Sequence, residues 1–368
     1  MTANEQTKST SNSATFQRPT RPVFVNDVTM LSPLGDDVML VTAAVRADIN
    51  CFGETSFYNQ KLSPLKMALV PEEALPPLDD ELAKKGGITT RQQRLLRLAT
   101  RPLTTLFEKC TESEPLPLFL AGPEKLPGRR SIISDNFLKL LKAQSKQSID
   151  IDNSYVFPFG RTAGLYALEA AMIYIENHPG RQVIVGGVDS YIDLHLIATL
   201  TRDHRITATG VMDGFIPGES AAFLLIGDAS TAQAGKPRFA LHPPGISQEP
   251  GHRYSTEPYR GEGLAKALTE ALDIDLSDKI STTMISFNGE NFFAKEWSVA
   301  AVRNSIAFIE APNLLHPADC FGDVGAAFGP IAIGIAVIGM HKKYLTSPAL
   351  ICCSSEMEQR AAVCLTVV

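Results

Sequence analysis

The segment 157–171 reads FPFGRTAGLYALEAA and puts a cation where chemistry favours a nucleophile. The run before it, SYVFPFG, is strand-like and ends in glycine, and the run after it, TAGLYALEAAMIYIENH, is spaced for a helix. Arg161 therefore stands near a strand-to-helix turn. A helix N-terminus carries partial positive charge and uncapped N–H groups, so it favours an anion, a carboxylate or a thiolate. A guanidinium stays protonated at any working pH and cannot act as a nucleophile. Its neighbour Thr162 offers a weaker hydroxyl, with no histidine placed to take the proton.

Three other groupings carry chemistry-bearing residue types. His316-Pro-Ala-Asp319-Cys320-Phe-Gly-Asp323 contains metal-ligand types, but nothing at recognisable spacing completes a tetrahedral set, so it reads as a polar loop and no metal or other cofactor is expected. Cys320 reads either as a displaced nucleophile or as an inert buried thiol, the second being favoured because no basic neighbour activates it. TRQQRLLRLATRP spaces Arg91, Arg94, Arg97 and Arg101 roughly three apart on a helix, with Lys84 and Lys85 upstream. That face suits an acidic protein partner or, as the plainer reading, bulk solvent, with Leu95, Leu96 and Leu98 turned inward.

These residues are carried by alternating strand and helix patterns. VFVNDVTMLSPLG reads as a strand and tight turn, and DDVMLVTAAVRADI as a helix. Residues 52–127 are irregular and Pro-rich, as in a cap or insertion. RQVIVGGVDSY over 181–191 is a fully buried strand, and DGFIPGESAAFLLIG turns into another. STAQAGKP over 230–237 is the best linker candidate, and a second set of alternating elements follows it. The rhythm implies a layered α/β protein. The 368 residues are 44% hydrophobic, enough for one large α/β unit or two domains. A net charge of −6 offers no basic field for nucleic acid. Six scattered cysteines without CxxC spacing fit a reducing compartment, and no apolar run is long enough for a membrane span, so a cytoplasmic protein is expected. The Thr/Ser/Asn/Gln-rich residues 1–20 are expected to be a disordered tail.

VTMLSPLGDDVMLVTAAVRADINCFG, FGRTAGLYALEAAMIYI, RQVIVGGVDSYID with DGFIPGESAAFLLI, ISFNGENFFAKEW and DCFGDVGAAFGP together resemble, in order and spacing, the β-ketoacyl synthases of the thiolase-like superfamily over about residues 22–368. The resemblance implies a thiolase-like layered α/β/α/β/α fold from two duplicated halves. These would be 21–229, with a cap insertion at about 52–127, and 236–368. It also implies a dimer paired through 181–191. That family uses a cysteine nucleophile and two histidines. Against its pattern Arg161 stands at the cysteine, Asn288-Gly289-Glu290 at one histidine loop, and Gly322-Asp323 at the other. Ser354-Ser355-Glu356-Met357 replaces the Gly-rich turn of the oxyanion hole.

A buried Arg161 needs counter-charge, since an unpaired buried ion is costly. We therefore expect an Arg161–Asp323 salt bridge, with Glu290 as second partner and Asn288 alongside. Thr162, Glu290, Glu296 and Cys320 are expected around the pocket, Glu296 as a structural support. Loss of nucleophile, base and oxyanion donors together implies a protein that has lost condensing activity and acts by binding. It would serve as homodimer or heterodimer partner of an active synthase, or as an adaptor for a protein client or an acyl carrier protein. The alternatives are a binder of an anionic acyl or lipid ligand headed by Arg161, and an acyltransferase with an unorthodox residue set.

Overall fold

Apolar runs bounded by Gly, Pro and Asp set the element order. The computed structural model describes residues 18–368 apart from 111, 113, 233, 234 and 236. The first half contains β1 (Val23–Leu31), α1 (Val38–Arg46), a hairpin of β2 (Gly53–Tyr58) and β3 (Pro64–Met67), α2 (Asp80–Lys84) and α3 (Thr90–Lys109). It continues with β4 (Leu116–Ala121), α4 (Asp135–Ser145), β5 (Ile149–Phe157), α5 (Ala163–Asn177), β6 (Gln182–Ser190), α6 (Leu194–Arg202) and β7 (Glu219–Gly227). The second half contains β8 (Phe239–Leu241), β9 (Gly245–Gln248), α7 (Glu262–Ala271), β10 (Ile280–Ile285) and α8 (Asn291–Arg303). It closes with β11 (Phe308–Leu315), α9 (Ala318–Phe321), α10 (Phe328–His341), β12 (Ala349–Ser354) and β13 (Gln359–Val367).

Strand order runs β11-β10-β12-β13-β8-β1-β7-β6-β4-β5 and is the same read outward from the β8–β1 junction in either direction. The pairing senses repeat as well. β4 is parallel to β5 and β6, as β10 is to β11 and β12, while β7 and β13 are antiparallel to both neighbours. Even the irregularity repeats: the register slips between Asp150 and Tyr155 on β5 and between Phe308 and Asn313 on β11. The two halves thus share one topology.

Packing resolves this sheet into layers. One core joins α5 and α10 to the inner faces of both halves. A second places α3 and α4 outside the first half, and a third places α7 outside the second. The α10 sequence FGPIAIGIAVIGMH is apolar on every side because it lies between two sheets. The two central helices meet at their N-termini, where a Cβ on Gly164 would come within 3.3 Å of the Gly329 Cα.

Two expectations are corrected. Residues 181–191 cannot pair across a dimer, because both edges of β6 are already bonded, to β4 and to β7. The free edge of that half belongs to β5. The region expected as a cap over 52–127 includes α3 and β4, which are core elements, so only the stretch before α3 stands outside the duplicated plan. Residues 1–17 of the expected tail lie outside the described residues. Arg18 donates to the Glu270 carbonyl at 2.7 Å and the Thr20 N–H to Glu176 at 2.6 Å. Among the described residues no helix is long and apolar enough to cross a membrane.

Candidate functional site

Duplication brings two equivalent helix starts face to face. Arg161 lies in the tight turn Gly160–Thr162 that leads into α5, and Asp323 lies in the loop that leads into α10. Gly160 (φ +58°), Gly322 (φ +70°) and Gly325 (φ +50°) provide the left-handed backbone these turns need. A carboxylate is favourable at a helix N-terminus and a guanidinium is not. Asp323 supplies the compensating charge for both helices.

The pair is dry. Arg161 Nη2 and Nε donate to Asp323 Oδ2 at 2.6 and 3.0 Å, and both side chains are 3% exposed. Asn288 Nδ2 donates to the same oxygen at 3.0 Å, and Gly325 N–H to Oδ1 at 2.9 Å. Burial alone would push the Asp323 carboxyl up, yet Arg161 and these hydrogen bonds hold it below the usual carboxylate range. The Arg161 guanidinium also lies 4.6 Å from the centre of the Phe293 ring.

Glu290 is not the second partner of Arg161. That role belongs to Glu356, which accepts from Arg161 at 3.1 Å and from Arg205 at 2.8 Å. Glu290 instead takes a two-point bond from Arg205 at 2.8 and 2.6 Å, an ion pair with Arg253 at 3.0 Å, and a bond from Asn288 at 3.0 Å. Three arginines thus face three carboxylates, and the group is electrically neutral. Beside it, Glu124 accepts the N–H groups of Glu356 and Met357 at 3.0 and 2.8 Å. Burial and the adjacent Glu356 push its carboxyl up to about 8.

The other expected residues divide. Thr162 is fully buried, with its hydroxyl 2.7 Å from that of Ser355 and donating to the Phe159 carbonyl. Glu296 supports the site from behind through a 2.6 Å bond from Arg360, neither side chain having any exposure. Cys320 lies in the central core, and burial together with Asp48 and Asp319 pushes its thiol up to about 11. It is not part of the site. Among the described residues no cluster of three or more His, Cys, Asp or Glu could hold a metal ion.

The arginine row on α3 is neither a solvated face nor an open patch. Arg91 binds Asp189 at 3.0 Å and the Ser190 carbonyl at 2.7 Å, and Arg94 grips Glu219 at 2.5 and 2.7 Å. Arg97 binds Glu72 and the Pro76 carbonyl, and Arg101 alone sits in an exposed pair, with Asp36. Arg205, Arg253, Glu124 and Arg360 were missed from the sequence. The first two lie in polar runs, TRDHRITAT and PGHRYSTEPYR, whose composition resembles any surface loop. Only Arg360, alone in an apolar strand, carried a signal.

The sequence matches no family model and no curated protein. Solved structures do match. The ishigamide ketosynthase/chain length factor superposes with a TM-score of 0.73 at 15% identity over 94% of this chain and 99% of that one. A ketosynthase in complex with its chain length factor from Xenorhabdus doucetiae gives 0.70 at 15% identity over 95% and 98%. A β-ketoacyl synthase from Burkholderia phymatum STM815 gives 0.69 at 13% identity over 95% and 100%. The chain therefore has the thiolase-like fold of ketosynthases and chain length factors.

Proposed function

We propose that this protein is a non-condensing ketosynthase-like subunit that acts by binding a protein partner. The observation that carries the reading is the Arg161–Asp323 pair. At the meeting point of the two central helices, where a nucleophile would gain most from the helix N-terminus, a permanently charged guanidinium is locked to a carboxylate. The guanidinium cannot attack a thioester, the Asp323 carboxylate is held by Arg161, Asn288 and the Gly325 N–H, and Asn288, which bridges Asp323 and Glu290, is not a proton acceptor at neutral pH. The hydroxyl of Thr162 lacks a histidine partner among the described residues.

The cavity at this site supports the same reading. It encloses about 80 Å³, with charged side chains such as Arg91, Arg129, Arg205 and Glu356 beside Leu126, Ile132, Leu196, Leu200 and Phe215. Sites for ligands of lipid size run to roughly 300 Å³ or more, so the lipid-binding alternative headed by Arg161 is disfavoured by size. The partner surface we infer is the free edge of β5, which can extend the sheet across a dimer with a second copy or with an active synthase. A carrier-protein patch on α3 is disfavoured because Arg91 and Arg94 already hold internal partners and Arg97 and Arg101 are paired with Glu72 and Asp36.

Purification of the tagged chain from its native source tests the proposal. A stoichiometric ketosynthase partner or client without condensation by the isolated chain supports it. Condensation of acyl and malonyl thioesters by the chain alone contradicts it.

A further inference from the structure

The small cavity beside the ion network carries an inference of its own, whatever becomes of condensation. Its wall holds five arginines, Arg91, Arg129, Arg130, Arg161 and Arg205. Three have internal counter-charges: Arg161 with Asp323 and Glu356, Arg205 with Glu290 and Glu356, and Arg91 with Asp189. Of the other carboxylates on the wall, Asp193 caps α6 through a 2.8 Å bond from Leu196 N–H, and Glu124 is held by two backbone N–H groups. Arg129 is half-buried and Arg130 exposed, and among the described residues neither side chain has an ion pair or a hydrogen bond. Arg129 and Arg130 are thus the two cations of the wall without an ion pair among the described residues.

Donors on the same wall are also left without partners. Arg91 and Arg205, 9% and 6% exposed, each direct Nε and Nη2 to protein acceptors, leaving Nη1 without one among the described residues. The Tyr191 hydroxyl is in the same position, and burial followed by the nearby Asp323 pushes its pKa far up, so it remains a donor. These donors face the cavity, where water or a bound group can supply the lone pairs, while Glu356 Oε2 on the same wall is a buried acceptor without a hydrogen-bond partner among the described residues. The volume equals roughly two to three water molecules at about 30 Å³ each. That is room for one compact polar group.

We propose that this cavity binds a single small oxyanion, a carboxylate or a phosphate. Arg129 and Arg130 hold it at the mouth, and the Tyr191 hydroxyl with Arg91 and Arg205 completes the donor set within. Charge-assisted bonds of this kind are the strong ones, and arginine suits the planar spread of oxyanion lone pairs.

Calorimetric titration of the full chain tests this, with inorganic phosphate in one arm and acetate in the other, each against sodium chloride at equal ionic strength. The expected result is saturable binding of at least one, and the arm that responds names the source of the oxyanion. The double variant Arg129→Gln/Arg130→Gln, placed on a loop outside the ion network, is expected to keep the thermal midpoint of the unliganded protein and to lose roughly tenfold or more in affinity. Tyr191→Phe is expected to weaken binding without abolishing it. Absence of saturable binding in both arms overturns the proposal, as does unchanged affinity in the double variant. An acylated Thr162 would contradict the non-condensing reading and leave this one standing.

Discussion

Replacing Arg161 with alanine probes the ion network at its centre. The change leaves Asp323 buried with bonds only from Asn288 and Gly325, and removes one of the donors to Glu356. Breaking a dry pair by deleting one partner costs about 3–5 kcal/mol, because the remaining charge keeps its desolvation penalty. An unfolding entropy of about 2.1 cal/mol/K per residue then converts that loss, for a chain of 368 residues, into a midpoint drop of about 4–7 °C. Scanning calorimetry at pH 7 reads it directly. The double variant Arg161→Met/Asp323→Asn removes both charges and retains shape, so it is expected to be less destabilised than the sum of its single changes by about 2–3 kcal/mol. An unchanged midpoint in Arg161→Ala, or strict additivity in the cycle, refutes the buried pair.

Further outcomes follow from the same geometry. Arg205→Ala strips Glu290 of its two-point partner and is expected to cost about 3–5 kcal/mol in denaturant unfolding. Arg101→Ala, in contrast, removes a surface pair with Asp36 and is expected to shift stability by no more than about 0.5 kcal/mol, a direct check that the outer member of the α3 row stands apart from the inner three. Glu124 sets a pH dependence. With its folded pKa up at about 8 against about 4.3 when unfolded, the folded state binds the extra proton across this window. Its contribution is therefore full below the window and falls as pH rises through it, so Glu124→Gln is expected to gain on the parent protein between pH 6 and pH 9 in thermal scans.

Much of this site was legible because its two principal residues sit at punctuated turns. Gly160 before one helix and Gly322 and Gly325 before the other mark the ends of apolar runs, and the resemblance to the β-ketoacyl synthases implied that the Asp323 loop faces Arg161, as it does. The remainder depends on distant partners. Arg94 meets Glu219 across 125 residues and Arg91 meets Asp189 across 98, so a periodic row of arginines looked like a surface although its counter-charges lay in the core. Similarly, β6 is apolar on both faces, which reveals burial and says nothing about its edges. Edge status is a property of the assembled sheet, and here it belongs to β5. The prolines of 52–127 concealed β4, which begins with Leu116-Pro117, and made the helix of the arginine row, with Pro102 inside it, look like part of a cap although it packs in the core.

Intact-mass analysis after incubation with acyl and malonyl thioesters, on both coenzyme A and carrier protein, tests the central claim most directly. The account predicts no covalent adduct with any donor, because a paired guanidinium occupies the turn into α5 and the Thr162 hydroxyl has no histidine base among the described residues. A stable acyl adduct mapped to Thr162, or to any other residue of the chain, would contradict it.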